Sequence, residues 1–455
     1  MFRILSLLTL MLIAFDANAY IQPKSITTPK GIKAWFYEDK TSSVISMSFF
    51  IKAGGDAEEK GHEGIISLMT GLMLRGAGDY DREAFEETIL DNAIKMNFSN
   101  SDDGIQGELT TLVDNKAKAF ELMSLVINKP RFESKELALV RDENLSNLAN
   151  YENQPDYIGA LALGELMYPN NYYGHNFIGT KQSLQSIKLP SIKKLHAKVF
   201  AKDGLIIGIS GNITEEEAIK MIDKVFGNLP EKSGLKPVVE IQPNSKATTK
   251  KISHPAPQAS IFFAQPGIKM TDPDFIRASV MMYILGSGSV SRLNDAIREK
   301  RGLAYTVVAK LDPYLYSGII YGNCGTKREN ATESVELIKK EWQRMRDSGP
   351  TDKELEDAKK FLIGSYPLRF ISALNISSML VMYQMLGKDV DFIKKRDGII
   401  QSLTIQDIKD ISKKLLKPED LTFVIVGDTG QKSEGVEGPA PIVSAVPVGG
   451  QGILH

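Results

Sequence analysis

Five histidines and one cysteine are all the imidazole and thiol the chain offers for metal binding or nucleophilic chemistry, so their spacing decides what they can do. His62 and Glu63 stand side by side in "KGHEG". A catalytic zinc normally takes about three protein ligands, and a helix supplies two imidazoles only when they are four residues apart. An adjacent His-Glu in a glycine-flanked loop, with no second histidine near, is instead expected to form a solvated turn. His175, in "NNYYGHNF", is expected at the surface or in packing, with a place in a cleft as the alternative; His196, in "IKKLHAKVF", lies on a basic helical stretch and is expected to be structural. Cys324 sits in the strand-like "YSGIIYGNCGTK" without a paired histidine or aspartate, so it reads as a small buried hydrophobe rather than a nucleophile. The glycine-rich "ILGSGSVSRL" lacks the Lys-Ser/Thr ending of a phosphate loop and follows a helical run. It is expected to let two helices pack or a peptide approach.

These residues must be carried by regular elements, and one of them raises a question. In "KGHEGIISLMTGLMLRGAG", Ile65, Ile66, Leu68, Met69, Leu72 and Met73 recur at helical spacing, and Gly76 and Gly78 stop the run. The stretch has the shape of a helix built around an active site, without polar side chains to act there. Further helices are expected in "DREAFEETILDNA", "NKAKAFELMSLVIN", "ESKELALVRDENLSNLANY", "TESVELIKKEWQRMRDSG" and "TDKELEDAKKFLIGSYPLRF".

Two passages recur. "VISMSFFIKAGG" resembles "QASIFFAQPG", with Phe49-Phe50 matching Phe262-Phe263, and "DGLIIGISGNIT" resembles "EDLTFVIVGDTG", with Asp203 matching Asp420. The nearly equal offsets imply a duplicated unit. Each copy opens and closes with a strand around a helical middle, which predicts an α+β fold: two duplicated α/β-sandwich halves, each a mixed sheet covered by helices on one face, joined by a linker. The halves are expected over residues 20–230 and 258–430, with a linker at 231–257 that holds one short strand, "KPVVEIQP". The Gly- and Pro-rich 431–455 is expected to be disordered.

Composition narrows the function classes. Lys plus Arg (55) nearly balance Asp plus Glu (56), so no strong field favours nucleic acid or an anionic membrane. The opening "MFRILSLLTLMLIAFDANAY" has a charged start, an apolar run too short to span a bilayer and a small-x-small site. Residues 1–19 are therefore expected to be a signal peptide, the mature chain to be periplasmic, and stable membrane insertion to be absent.

Taken together, the duplicated α+β halves, "GIISLMTGLMLRGAG" and "GSGSVSRLNDAIREKRGLAY" resemble the insulinase/pitrilysin family of zinc peptidases with an inverted motif, in its processing-peptidase-like bacterial branch. In active members the first motif reads G-x-x-H-x-x-E-H: two histidines and a distant glutamate hold zinc, and the motif's glutamate is the general base. Aligned from Gly64, the resemblance puts Ser67 and Gly71 at the histidines, Thr70 at the base, and Asn147 at or beside the distant ligand. None of these suits its role, so the helix is kept while its chemistry is gone. These positions are expected to line a wet cleft. In "IREKRGLAY", Arg298 and Tyr305 keep the spacing of the family's substrate-binding pair, which holds the peptide backbone and stabilises the oxyanion. The resemblance implies a non-catalytic subunit with no metal or cofactor of its own. It would form a clam-shell with a catalytic zinc-peptidase subunit and bring Arg298 and Tyr305 to a peptide substrate. A non-enzymatic peptide-binding or envelope scaffolding module is the alternative.

Overall fold

The computed structural model describes residues 21–427; the expected signal peptide and C-terminal tail lie outside them. The first half contributes β1 (Lys24–Thr27), β2 (Lys33–Glu38), β3 (Val44–Ile51), β4 (Lys95–Ser101), β5 (Gly104–Leu112) and β6 (Leu205–Gly211), in the spatial order β1-β2-β6-β3-β5-β4. The second contributes β7 (Thr249–Ile252), β8 (Gln258–Pro266), β9 (Ala304–Pro313), β10 (Gly318–Lys327) and β11 (Thr422–Val426), in the order β7-β11-β8-β10-β9. Apart from β1, the two sheets have one topology. β2 runs parallel to β6 as β7 does to β11, and the remaining neighbours are antiparallel.

The register corrects the expected repeat by one residue. Phe49 lies opposite Gly107 on β5, and Phe263, not Phe262, lies opposite Gly322 on β10. Phe49 and Phe263 each face the core beneath the helices of their own half, against Phe226 and Trp342 respectively. Phe262 points to the other face, where it joins a separate cluster. Side chains alternate along a strand, so a match one residue out places equivalent residues on opposite faces.

All five helical stretches are present, as Arg82–Asp91, Lys116–Asn128, Ser134–Tyr151, Ala331–Ser348 and Asp352–Gly364. The one-sided covering is not. Helix Ala373–Met385, from the second half, packs on β3 and β6 of the first sheet, while helix Pro155–Met167, from the first, packs on β8 and β11 of the second. β3 is consequently buried at nearly every position, the serines of its Ile45-Ser46-Met47-Ser48-Phe49 alternation included. The short strand also moves. "KPVVEIQP" has no ladder, with Val239 exposed and Ile241 giving a single backbone bond to Tyr316, and the sheet instead recruits Thr249–Ile252 beside β11.

Cys324 is buried in β10, where burial pushes its thiol up to about 12. His196 is packed between Phe132 and Phe200, and burial holds its imidazole down at about 4. Neither group is set up for chemistry near neutral pH.

Candidate functional site

The helix Ile65–Met73 begins at Gly64, whose left-handed backbone lets the chain turn sharply beneath Ile178. Its free N–H groups are met by Glu58, whose carboxylate accepts from Gly64 and Ile66 at 3.1 Å each. Burial holds that carboxyl up at about 7 against the lowering effect of these bonds. The apolar positions bury against the first half's core, and one side of the helix lies along Ser134–Tyr151.

The degenerate positions fall at this contact. The Ser67 hydroxyl accepts from Asn144 at 3.1 Å, and Asn147 stands exposed one turn further along the same helix. Gly71 permits close approach, because a Cβ there would stand 2.8 Å from Cγ1 of Val140. Thr70 departs from the expected wet cleft. It is buried, and its hydroxyl donates to the carbonyls of Ile66 and Ser67, as threonine does when it satisfies itself on its own helix. A metal would meet two hydroxyls engaged in other bonds, an amide and a bare backbone. These residues do not fit zinc, which takes thiolate, imidazole and carboxylate donors. Among the described residues no group of three or more His, Cys, Asp or Glu side chains stands ready to hold a metal ion.

Arg298 and Tyr305 are brought together. A wide helical turn, Asn294–Glu299, buries Ile297 and leaves Arg298 outside. The chain then reverses at Gly302, whose N–H donates to the Arg298 carbonyl, and enters β9 at Ala304. The guanidinium sits 6.0 Å from the Tyr305 ring centre, both side chains are exposed, and the nearest carboxylate to Arg298 is Glu299 at 3.6 Å. A cation over an aromatic face is weakly attracted to it, so the pair holds its donors at one surface. The preceding glycine-rich segment packs on a strand, with Gly286 against Ala309 of β9, and also meets helices Ala331–Ser348 and Asp352–Gly364. Arg292, in the same motif, is buried and forked onto Glu354 at 2.7 Å, a purely internal tie.

Sequence reasoning missed a buried seam between the halves. The β4–β5 turn carries Asp102 and Asp103. Asp103 accepts from the Tyr173 hydroxyl at 2.5 Å and from the Leu315 N–H at 2.8 Å, linking the first half to the β9–β10 turn. Asp312 accepts from Tyr314, whose ring stacks on Tyr173 at 4.4 Å. Burial pushes Asp103 up to about 6 and Asp312 up to about 7. In sequence, "SDDG" shows only a polar hairpin turn. His62 and Glu63 stay in their turn, where the Glu63 carboxylate accepts from Gly61 N–H, whereas His175 takes the cleft alternative and lines two cavities with Asp102.

Comparison with known proteins places this architecture. Residues 35–181 match the family model described as insulinase (peptidase family M16), and residues 186–362 match the peptidase M16 inactive domain. A Helicobacter pylori protein named a non-peptidase homolog, YmxG, is 30% identical over 86% of this chain and 91% of its own length. A Bacillus subtilis protein named an uncharacterized zinc protease, YmxG, is 24% identical over 90% of this chain and 98% of its own. A Pseudomonas fluorescens crystal structure, described as a peptidase M16 inactive domain, superposes with a TM-score of 0.84 at 26% identity, covering 90% of this chain and 98% of that one.

Proposed function

The chain belongs to the M16 insulinase family, and we propose that within it this protein is a substrate-holding subunit without peptidase activity of its own, exported to the periplasm and paired with a zinc-bearing chain of the same family. The carrying observation is the contrast between two sites. Arg298 and Tyr305 converge at an exposed surface, while Ser67, Thr70 and Gly71 offer no ligand or base. The metal chemistry belongs to the proposed partner. What this chain contributes is positioning: a guanidinium and a phenol can both donate to a peptide carbonyl oxygen and strengthen those bonds as negative charge develops on it. The name given to the Helicobacter pylori relative supports the absence of autonomous peptidase activity.

Native co-purification followed by mass spectrometry tests the pairing. Recovery of a family member with an intact H-x-x-E-H motif, and peptide cleavage only when both chains are present, is the expected result. About one tightly held zinc per isolated chain after dialysis would overturn this reading. Recovery of peptides or envelope proteins with no such partner would favour the non-enzymatic peptide-binding or scaffolding module, for which the exposure of Arg298 and Tyr305 at one surface is the supporting observation.

A further inference from the structure

Two cavities meet at Asp102. The larger, of about 430 Å³, carries Asp56, Glu58, Glu59, Glu63 and Asp102 against one lysine, Lys60, and one histidine, His175. The smaller, of about 70 Å³, is walled by Tyr157, Leu163, Tyr168, Tyr314 and Tyr321 among others. Four of the five carboxylates have partners: Asp56 accepts from Gly54, Glu58 from Gly64 and Ile66, Glu63 from Gly61, and Glu59 pairs with Lys194. Asp102 does not. The residue is 8% exposed, and among the described residues its carboxylate has neither a hydrogen bond nor an ion pair. A buried carboxyl in this state is costly to ionise, and its proton affinity is raised by burial first, then by Asp103, Asp312 and Glu58.

We propose that the joined cavities bind a primary ammonium carried on an apolar stem, with the ammonium at Asp102 and the stem among the tyrosines. The acidic chamber supplies a potential that favours a cation, and the narrow apolar chamber admits a stem of a few carbons beside it. An ammonium is a compact point charge with three donors, which suits a single buried carboxylate better than a planar guanidinium does. On binding, the ammonium becomes the partner that the Asp102 carboxyl lacks. The group has three possible sources: the N-terminal residue of a peptide, a lysine side chain, or a free amine. The site uses none of the residues of the Arg298–Tyr305 pair and stands or falls separately.

The test is calorimetric titration of the full chain near neutral pH with n-butylammonium chloride and with 1-butanol, its neutral counterpart. The ammonium is expected to bind, and the alcohol about ten-fold more weakly or worse. Asp102→Asn should weaken the ammonium by a similar factor. Ala160→Phe, which fills the smaller cavity from its wall, should do so without touching the carboxylate. No binding of the ammonium, equal binding of the alcohol, or undiminished affinity in Asp102→Asn overturns the proposal. Should Asp102→Asn fail to fold, undiminished affinity in Ala160→Phe does so. A leucyl tripeptide, its N-acetyl form and N-acetyl-lysine amide identify the source. Tighter binding of the free tripeptide or of the lysine derivative than of n-butylammonium assigns a chain end or a lysine, and weaker binding of both assigns a free amine.

Discussion

The hydroxyl oxygens of Ser48 and Ser377 lie 2.8 Å apart although 329 residues separate them. Ser48 belongs to β3 of the first sheet and Ser377 to helix Ala373–Met385 of the second half, and the mirror contact is a 2.8 Å bond from Ser260 on β8 to Asp156 at the start of helix Pro155–Met167. Each repeat therefore sends the helix that follows its helical middle across to the other repeat's sheet. Neither half has both faces of its sheet covered without the other, and this reciprocity makes the two halves one folding unit.

Gly208→Val should destabilise the whole chain. Gly208 lies under helix Ala373–Met385, and a Cβ there would stand 2.3 Å from the Ser377 carbonyl oxygen, a backbone atom that cannot swing aside. The expected loss is about 1–3 kcal/mol, typical of overpacking, in a single cooperative transition. Gly364→Ala, at a helix end with nothing within 4 Å of its Cβ, is the neutral control. Thermal melts decide. Two separate transitions, only one of them lowered by Gly208→Val, would refute the interlock.

Gly71→His should also destabilise, which bears on any attempt to restore the family's motif. The new Cβ would press on Val140, which is buried, so about 1–3 kcal/mol of stability is expected to be lost and part of it recovered by adding Val140→Ala. Ser67→His removes only a half-buried hydroxyl bonded to Asn144 and should cost less. Urea melts of the three variants check the order. A Gly71→His protein as stable as wild type would mean that the two helices separate more easily than their packing indicates.

Much of this was legible because local signals and burial agreed. Helical spacing of the apolar positions gives the five helical stretches, and the repeated apolar strands give the duplication. The exchanged helices were not legible. Ala373–Met385 is apolar on both sides, so its sequence does not say which sheet it covers. The degenerate motif was found because a fixed spacing survives loss of the side chains that gave it purpose. The acidic seam was hidden for a different reason: Asp103 meets Leu315 at a separation of 212 residues, and neither stretch signals the other.

The stability contributed by the buried carboxyls should fall as pH rises from about 4 to about 7, while His196, held down at about 4, acts in the opposite direction. Asp312 is buried and held up at about 7, far above an unfolded aspartate near 3.9. A carboxyl whose folded pKa is raised stabilises fully below its unfolded pKa and loses that contribution as pH climbs through the folded value. Asp103, at about 6, and Glu58, at about 7, act in the same direction. Asp312→Asn removes one of these titrations. It should flatten the decline between about pH 4 and pH 7, making the variant gain on wild type as pH rises. Denaturant melts across that range test it, and an unchanged slope would show that Asp312 is not among the groups responsible.

Two arginines of one motif should behave in opposite ways. Arg292 is 6% exposed and forked onto Glu354 while donating to the Gly349 carbonyl, so Arg292→Ala leaves a partly buried carboxylate without its partner. A loss of about 3 kcal/mol or more in stability is expected, and any loss of function follows from unfolding. Arg298 is half-exposed beside an exposed Tyr305, with only a 3.6 Å ion pair to Glu299, so Arg298→Ala and Tyr305→Phe should leave the melting curve almost unmoved. Their effect should fall on turnover by the proposed two-chain peptidase: about 100- to 1,000-fold in kcat for the loss of one donor to a developing oxyanion, with little change in KM. The double variant should lose less than the product of the single losses, because both donors serve one oxygen. The measurement is peptide cleavage by the reconstituted pair, with size-exclusion chromatography showing that the chains still associate. Full turnover in both single variants, with association intact, would remove the oxyanion role and leave the pair as a peptide-binding surface.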